Sequence, residues 1–126
     1  MSAGHDHGLL LFAHGARDPA WAQPFEAVAR RCAAQRPGSP VALAFLEFMA
    51  PNLVDAGQAL VAQGCTVIDV VPLFLGTGGH VRQDIPVLLA QLQALHRGVQ
   101  WRLHPAVGES TELIEAMARV ALVAAK

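Results

Sequence analysis

The sequence predicts an α/β fold: a single-domain sandwich on a four-stranded parallel sheet with helices on both faces. Three observations predict it. Four short apolar runs alternate with four stretches of helical periodicity, and each pair has the length of one βα unit. The second strand's continuous apolar character suits a sheet covered on both faces. The 126 residues suffice for one continuous core; over half are apolar and 15% are charged, so the chain is neither disordered nor solvating.

Residues 1–7 lack periodicity and are expected to form a mobile N-terminal arm, where His5 and His7 offer at most a weak grip on a metal. The domain proper is 8–126. Gly8–Ala13 reads as a short, wholly apolar strand. It stops at His14-Gly15-Ala16-Arg17-Asp18-Pro19, a loop with a turn glycine and an Asp-Pro helix start. The first helix carries Trp21, Phe25, Val28, Ala29 and Cys32 at helical spacing and ends before Pro37-Gly38. Pro24 leaves two arrangements open: the helix begins there, or residues 18–24 form a separate turn over the loop.

Val41–Phe48 is the second strand, interrupted near its end by Glu47. Pro51 opens the second helix, with Leu53, Ala56, Leu60 and Val61 as its buried stripe and Gly64 as its C-terminal cap. Thr66–Val71 is the third strand. It runs into the turn Pro72-Leu73-Phe74-Leu75-Gly76-Thr77-Gly78-Gly79-His80. A helix signal follows, with Asp84 as N-cap or first-turn acid and Pro86 at an early helical position. Ile85, Leu88, Leu89, Leu92 and Leu95 line that third helix, which stops near Gly98. Gln100–Val107 is the fourth strand, and Gly108 turns it toward the fourth helix. Ser110 or Thr111 caps this helix, Glu112 suits its positive end, and Leu113, Met117, Val120 and Ala121 face inward.

Charge and composition exclude several classes. A formal net charge of −1 with scattered Lys and Arg argues against a nucleic-acid surface. No apolar run approaches the ~20 residues of a membrane helix. No basic region precedes the apolar Leu9–Ala13 run, so a secretory signal is not expected. Cys32 and Cys65 lie outside any C-x-x-C motif and read as buried thiols. A cytoplasmic protein is expected.

Topology brings three polar residues together. His14 follows the first strand, Glu47 ends the second, and His80 lies in the loop after the third. In a parallel sheet these strand ends share one rim, which is where ligands collect in open α/β sheets. Two imidazoles and a carboxylate suit a divalent first-row metal with open coordination positions, or proton transfer near neutral pH.

Three separated segments add a resemblance. His14-Gly15-Ala16-Arg17-Asp18-Pro19, Ala44-Phe45-Leu46-Glu47, and Pro72-Leu73-Phe74-Leu75-Gly76 running on to Gly79-His80 and Asp84-Ile85-Pro86 closely resemble the small class II chelatases. These are the sirohydrochlorin cobaltochelatases and ferrochelatases of the cobalamin and sirohaem pathways. The resemblance covers about residues 8–108, in order and at the family's spacing. It departs at Ala16, where a serine is common. It departs again at Leu103-His104-Pro105-Ala106-Val107-Gly108, where the usual histidine-proline beyond the glycine is missing; His104 receives no role.

The resemblance implies insertion of a divalent metal (cobalt or ferrous iron, with nickel a further candidate) into a metal-free, heavily carboxylated tetrapyrrole. The metal is a substrate, and no organic cofactor is implied. His14 and His80 take the place of the metal-binding histidines. Glu47 assists, either completing the site or accepting a pyrrole proton. Arg17 and Arg82 flank the histidine motifs and are candidates for pairing with substrate carboxylates. The turn carrying Gly76, Gly78 and Gly79 lets a flat ring lie against backbone or offers N–H donors to a carboxylate. Phe45, Phe48, Phe74 and Leu75 are wall candidates, although apolar residues beside strands are usually core. Small members of the family resemble one half of larger two-domain chelatases and pair as homodimers around a shared cleft. Metal affinity is expected to fall below about pH 6.5, where imidazole takes a proton.

Two rivals fail on residues, and a third shares the same rim. A histidine phosphatase places an arginine directly before its His-Gly, whereas Ala13 stands here. A dinucleotide fold needs G-x-G-x-x-G, and the first βα turn has one glycine. A non-catalytic carrier of metal or tetrapyrrole would use the same residues and is separated only by turnover.

Overall fold

The computed structural model describes residues 6–76 and 78–126, and only the backbone of residues 79–82. Strands β1 (His7–Ala13), β2 (Val41–Phe45), β3 (Val67–Pro72) and β4 (Gln100–Leu103) form one sheet in the order β2-β1-β3-β4. Every pairing is parallel. Helices α1 (Gln23–Gln35), α2 (Leu53–Ala62), α3 (Gly79–Leu95) and α4 (Thr111–Ala124) alternate with the strands. The chain steps one way from β1 to β2 and the other way to β3 and β4. Right-handed crossovers therefore send α1 to one face and α2 with α3 to the other.

The face under α2 and α3 holds the core. Leu10 and Phe12 of β1 and Ile68 and Val70 of β3 meet Leu53, Ala56 and Leu60 of α2 and Ile85, Leu89 and Leu92 of α3. Gly57 permits the close approach of these helices: a Cβ there would lie 2.9 Å from Leu92 and 3.0 Å from Trp101. On the opposite face α1 packs against β2. Cys65 is buried, Cys32 is half-buried, and both are thiols. Among the described residues no helix is long and apolar enough to cross a membrane.

Several elements differ from expectation for identifiable reasons. β2 stops at Phe45 rather than Phe48, because Phe48 adopts φ 67°, a left-handed conformation no strand accommodates. β4 ends at Leu103 rather than Val107, shortly before Pro105, which has no N–H to give a ladder. Residues 18–24 satisfy both readings of Pro24: a 3-10 turn, Pro19–Ala22, is capped by Asp18, whose carboxylate accepts from the Ala20 N–H at 3.0 Å, and α1 begins directly after it. Asn52 is the cap of α2, accepting from the Asp55 N–H at 2.8 Å, and Gly64 leaves the helix at φ +99°. α3 starts at Gly79 with Gly78 as N-cap, so Asp84 is not its cap and Pro86 stands inside it. His7, expected in the terminal arm, is the first residue of β1; His5 lies outside the described residues.

α4 departs most. Leu113, Met117, Val120 and Ala121 were expected to face a core, yet no residue of this helix is buried, and its main packing is against the 3-10 turn Val107–Glu109 that precedes it.

Asp69 sits on the sheet face opposite α2 and α3, with 13% of its side chain exposed. Arg102 donates to its two oxygens at 2.7 and 2.8 Å, the His104 ring nitrogen lies 2.7 Å from Oδ1, and the His7 ring meets Oδ2. The Arg102 hydrogen bonds, supported by those of the two histidines, outweigh burial and hold the Asp69 carboxyl well below the usual carboxylate range. A depressed carboxylate stabilises the fold above its unfolded pKa, about 3.9, and that contribution is lost as pH falls toward the folded value. Asp69→Asn therefore lowers the melting temperature at pH 7. The gap from the parent chain closes as pH falls below about 4. Thermal melts at several pH values check this.

Candidate metal centre

The ends of β1 and β2 continue side by side past the sheet. The Leu46 N–H donates to the Ala13 carbonyl at 2.9 Å, and the Glu47 N–H to the His14 carbonyl at 3.2 Å. These bonds fix two chain segments at the spacing of a ladder, so His14 and Glu47 are held as neighbours. Gly15 adopts φ +89°, and a Cβ built there would lie 2.0 Å from the Glu47 carbonyl oxygen. The contact admits glycine alone.

The side chains meet as their backbones require. His14 Nδ1 lies 3.7 Å from Glu47 Oε1, and the side chains are 54% and 48% exposed. At that distance the pair is not a tight hydrogen bond, and both groups keep lone pairs for another partner. The His14 ring stands edge-on to Phe74, centroids 6.0 Å apart, and Phe74 packs in turn on Phe12 at 5.7 Å. Phe74 is thus a buried floor beneath an open histidine.

The segment after β3 is anchored beside them. The Leu73 N–H donates to the Phe12 carbonyl at 2.8 Å, and the Gly108 N–H to the Phe74 carbonyl at 2.9 Å. A Cβ at Gly108 would lie 1.8 Å from the Leu75 carbonyl oxygen, so the turn after β4 seats the turn after β3. Gly76 and Gly78 are exposed, and a side chain at either would meet nothing within 4 Å; packing within the chain does not require glycine there. From this rim α3 departs, and His80 falls in its first turn. The side chains of His80 and Arg82 lie outside the described residues, and Gly79 is the first residue of α3. Among the described residues no three His, Cys, Asp or Glu side chains are arranged to hold a metal ion; at this rim His14 and Glu47 are a pair that a third donor would complete.

Beside His14 a recess of about 240 Å³ is lined by Gly15, Ala16, Trp21, Phe25 and Phe45 as well as the histidine. Arg17 and Phe48 line an adjoining recess that shares Ala16 and Phe45 with this one, and the Arg17 guanidinium lies 5.0 Å from the centre of the Phe48 ring. Phe45 and Phe74 are buried, as core residues would be, whereas Phe48 and Leu75 are exposed. Trp21, read from sequence as part of the first helix's periodic set, is 65% exposed and belongs to the 3-10 turn. The Asp18-Pro19 pair was the signal for that turn. His104, without an expected role, is a partner of Asp69 away from this rim.

Comparison with known proteins shows the family. A sirohydrochlorin cobaltochelatase from Saccharolobus solfataricus is 42% identical over 82 residues, covering 65% of this chain and 62% of that protein. The match thus spans 62% of the length of that curated relative. Among solved structures, a CbiX protein from Marinobacter aquaeolei VT8 superposes with a TM-score of 0.80 at 34% identity, over 91% of this chain and 93% of the other. SirB from Bacillus subtilis with Fe3+ superposes with a TM-score of 0.79 at 28% identity, over 90% of this chain and 45% of the other. The CbiX family model matches residues 8–122, from the first strand through most of the last helix, and the chain belongs to that family.

Proposed function

We propose that the chain is a metal chelatase that inserts a divalent cation, cobalt or ferrous iron with nickel a further candidate, into sirohydrochlorin. The observation that carries this reading is the half-exposed His14–Glu47 pair, held by backbone bonds at the strand-end rim from which His80 also issues. A cobaltochelatase among the relatives and an iron-bearing structural neighbour support the choice of metals.

Insertion must strip water from the cation and remove two pyrrole protons. His14 and His80 hold the metal through neutral imidazole nitrogens and leave its other positions to water and then to the ring. Glu47, 3.7 Å from His14, completes the site or takes a pyrrole proton, directly or through water. Arg17 and Arg82 orient the macrocycle by its carboxylates. The stacking of Arg17 on Phe48 holds one of these cations against the wall of the adjoining recess rather than free in solvent. Gly76, Gly78 and Gly79 leave room for a flat ring to approach backbone. Two copies of the chain enclosing a shared cleft, in the cytoplasm and without an organic cofactor, complete this reading.

Anaerobic incubation of metal-free sirohydrochlorin with cobalt, ferrous iron or nickel and a catalytic amount of protein tests it. Spectral conversion over many turnovers with at least one metal is expected. A change that stops at one equivalent of protein identifies a carrier instead.

A further inference from the structure

We propose that Trp21 is a stacking seat for one edge of the tetrapyrrole and sets the ring over His14. This rests on the sirohydrochlorin reading above and adds a substrate-positioning residue to it.

The indole is placed by a short, tightly bonded turn. Pro19 fixes the first φ of the 3-10 turn Pro19–Ala22. Asp18 accepts from the Ala20 N–H at 3.0 Å through its carboxylate and from the Trp21 N–H at 3.1 Å through its carbonyl. The Gln23 N–H returns to the Ala20 carbonyl, and α1 follows at once. Bonds on both sides of Trp21 thus hold its backbone. The residue itself is 65% exposed, and among the described residues no hydrogen bond or ring contact engages the indole. No residue of the turn is buried, so the core does not account for a large aromatic here.

Aromatic exposure is concentrated at this rim. Of five phenylalanines and two tryptophans, only Trp21 and Phe48 are exposed. Trp21 follows β1 and Phe48 follows β2, while Leu75, 66% exposed, follows β3. Three loops at one end of the sheet therefore each present a large apolar side chain beside His14 and Glu47. One such residue is ordinary surface, but three around one site form a face for a ligand.

The recess suits the edge of a flat ring. Trp21 shares it with His14, Phe25 and Phe45 are its apolar walls, and Gly15 and Ala16 add no bulk. Its volume of about 240 Å³ falls short of the roughly 300–1,000 Å³ that encloses a drug-sized ligand. It admits one pyrrole unit of a macrocycle and leaves the ring centre outside, where a metal on His14 must reach the nitrogens. The adjoining recess, about 460 Å³, has Arg17 and Glu26 as its charged members. One apolar edge against the indole and one carboxylate arm toward Arg17 match the two characters of the substrate.

A chain labelled with 5-fluorotryptophan gives two fluorine resonances, and Trp21→Phe assigns them. Titration with metal-free sirohydrochlorin, its binding followed by absorbance, is expected to shift the Trp21 resonance to saturation. The resonance of the buried Trp101 should stay in place. In cobalt insertion, Trp21→Ala is expected to raise KM for the tetrapyrrole about tenfold, the size of one lost stacking contact, with kcat and KM for cobalt within about twofold of the parent. Trp21→Phe should restore most of the loss. A ligand that binds without moving the Trp21 resonance, or a Trp21→Ala chain with unaltered KM for the tetrapyrrole, would overturn the seat. A loss that appears in kcat and melting temperature instead, without rescue by phenylalanine, identifies a structural role and overturns it too. The two readings fail separately: turnover with a stationary Trp21 resonance leaves the chelatase standing, whereas a shifted resonance without turnover leaves the seat standing.

Discussion

His14→Ala is expected to lower the rate of cobalt insertion into metal-free sirohydrochlorin by at least about a hundredfold, because in the proposed mechanism it removes a metal ligand rather than a supporting contact. His80→Ala should do the same, and the double variant should be little worse than either alone, since groups that hold one ion act as a unit. Folding should be unaffected at position 14. The side chain is 54% exposed, and among the described residues its polar and ring partners are Glu47 at 3.7 Å and Phe74, met edge-on. The melting temperature of His14→Ala should therefore stay close to that of the parent chain while turnover collapses. Full activity in the double variant would end the mechanism.

Gly15→Ala should cost nearly as much activity through geometry alone. The residue sits at φ +89°, and the new methyl would lie 2.0 Å from the Glu47 carbonyl oxygen, inside any tolerable contact. Relief requires the two strand-end segments to part, which breaks the Glu47 N–H bond to the His14 carbonyl and separates the pair. A misplacement of about 1 Å at a reacting centre costs on the order of a hundredfold in rate, and backbone strain of this kind costs about 1–3 kcal/mol. The variant is thus expected to lose both turnover and thermal stability, whereas His14→Ala loses turnover only. Measuring both quantities on both variants separates placement from ligation.

The same contrast shows what the sequence could and could not convey. Apolar runs and turn residues marked four strands and four helices in order, because the period of burial is written locally. The rim was legible for a different reason: in a parallel sheet the residue after each strand goes to a known end, so His14 and Glu47 could be paired across thirty residues without coordinates. Side-chain relations were less legible. Phe48 reads as a strand residue until its positive φ is known, and Trp21 as part of the first helix until the 3-10 turn is seen. His7, Asp69, Arg102 and His104 come from three strands, and no spacing in the chain announces that they meet. The apolar arc of α4 reads in the sequence as a face turned inward, yet no residue of the helix is buried; periodicity says only that a helix has such a face and not which surface receives it.

Cobalt anomalous diffraction from crystals soaked in the metal addresses the centre most directly. One peak is expected within about 2.1 Å of a ring nitrogen of both His14 and His80, with the Glu47 carboxylate at or next to the coordination sphere. A peak held by His7, Asp69 and His104 with none at His14, or a His14 peak that His80 does not share, would contradict it.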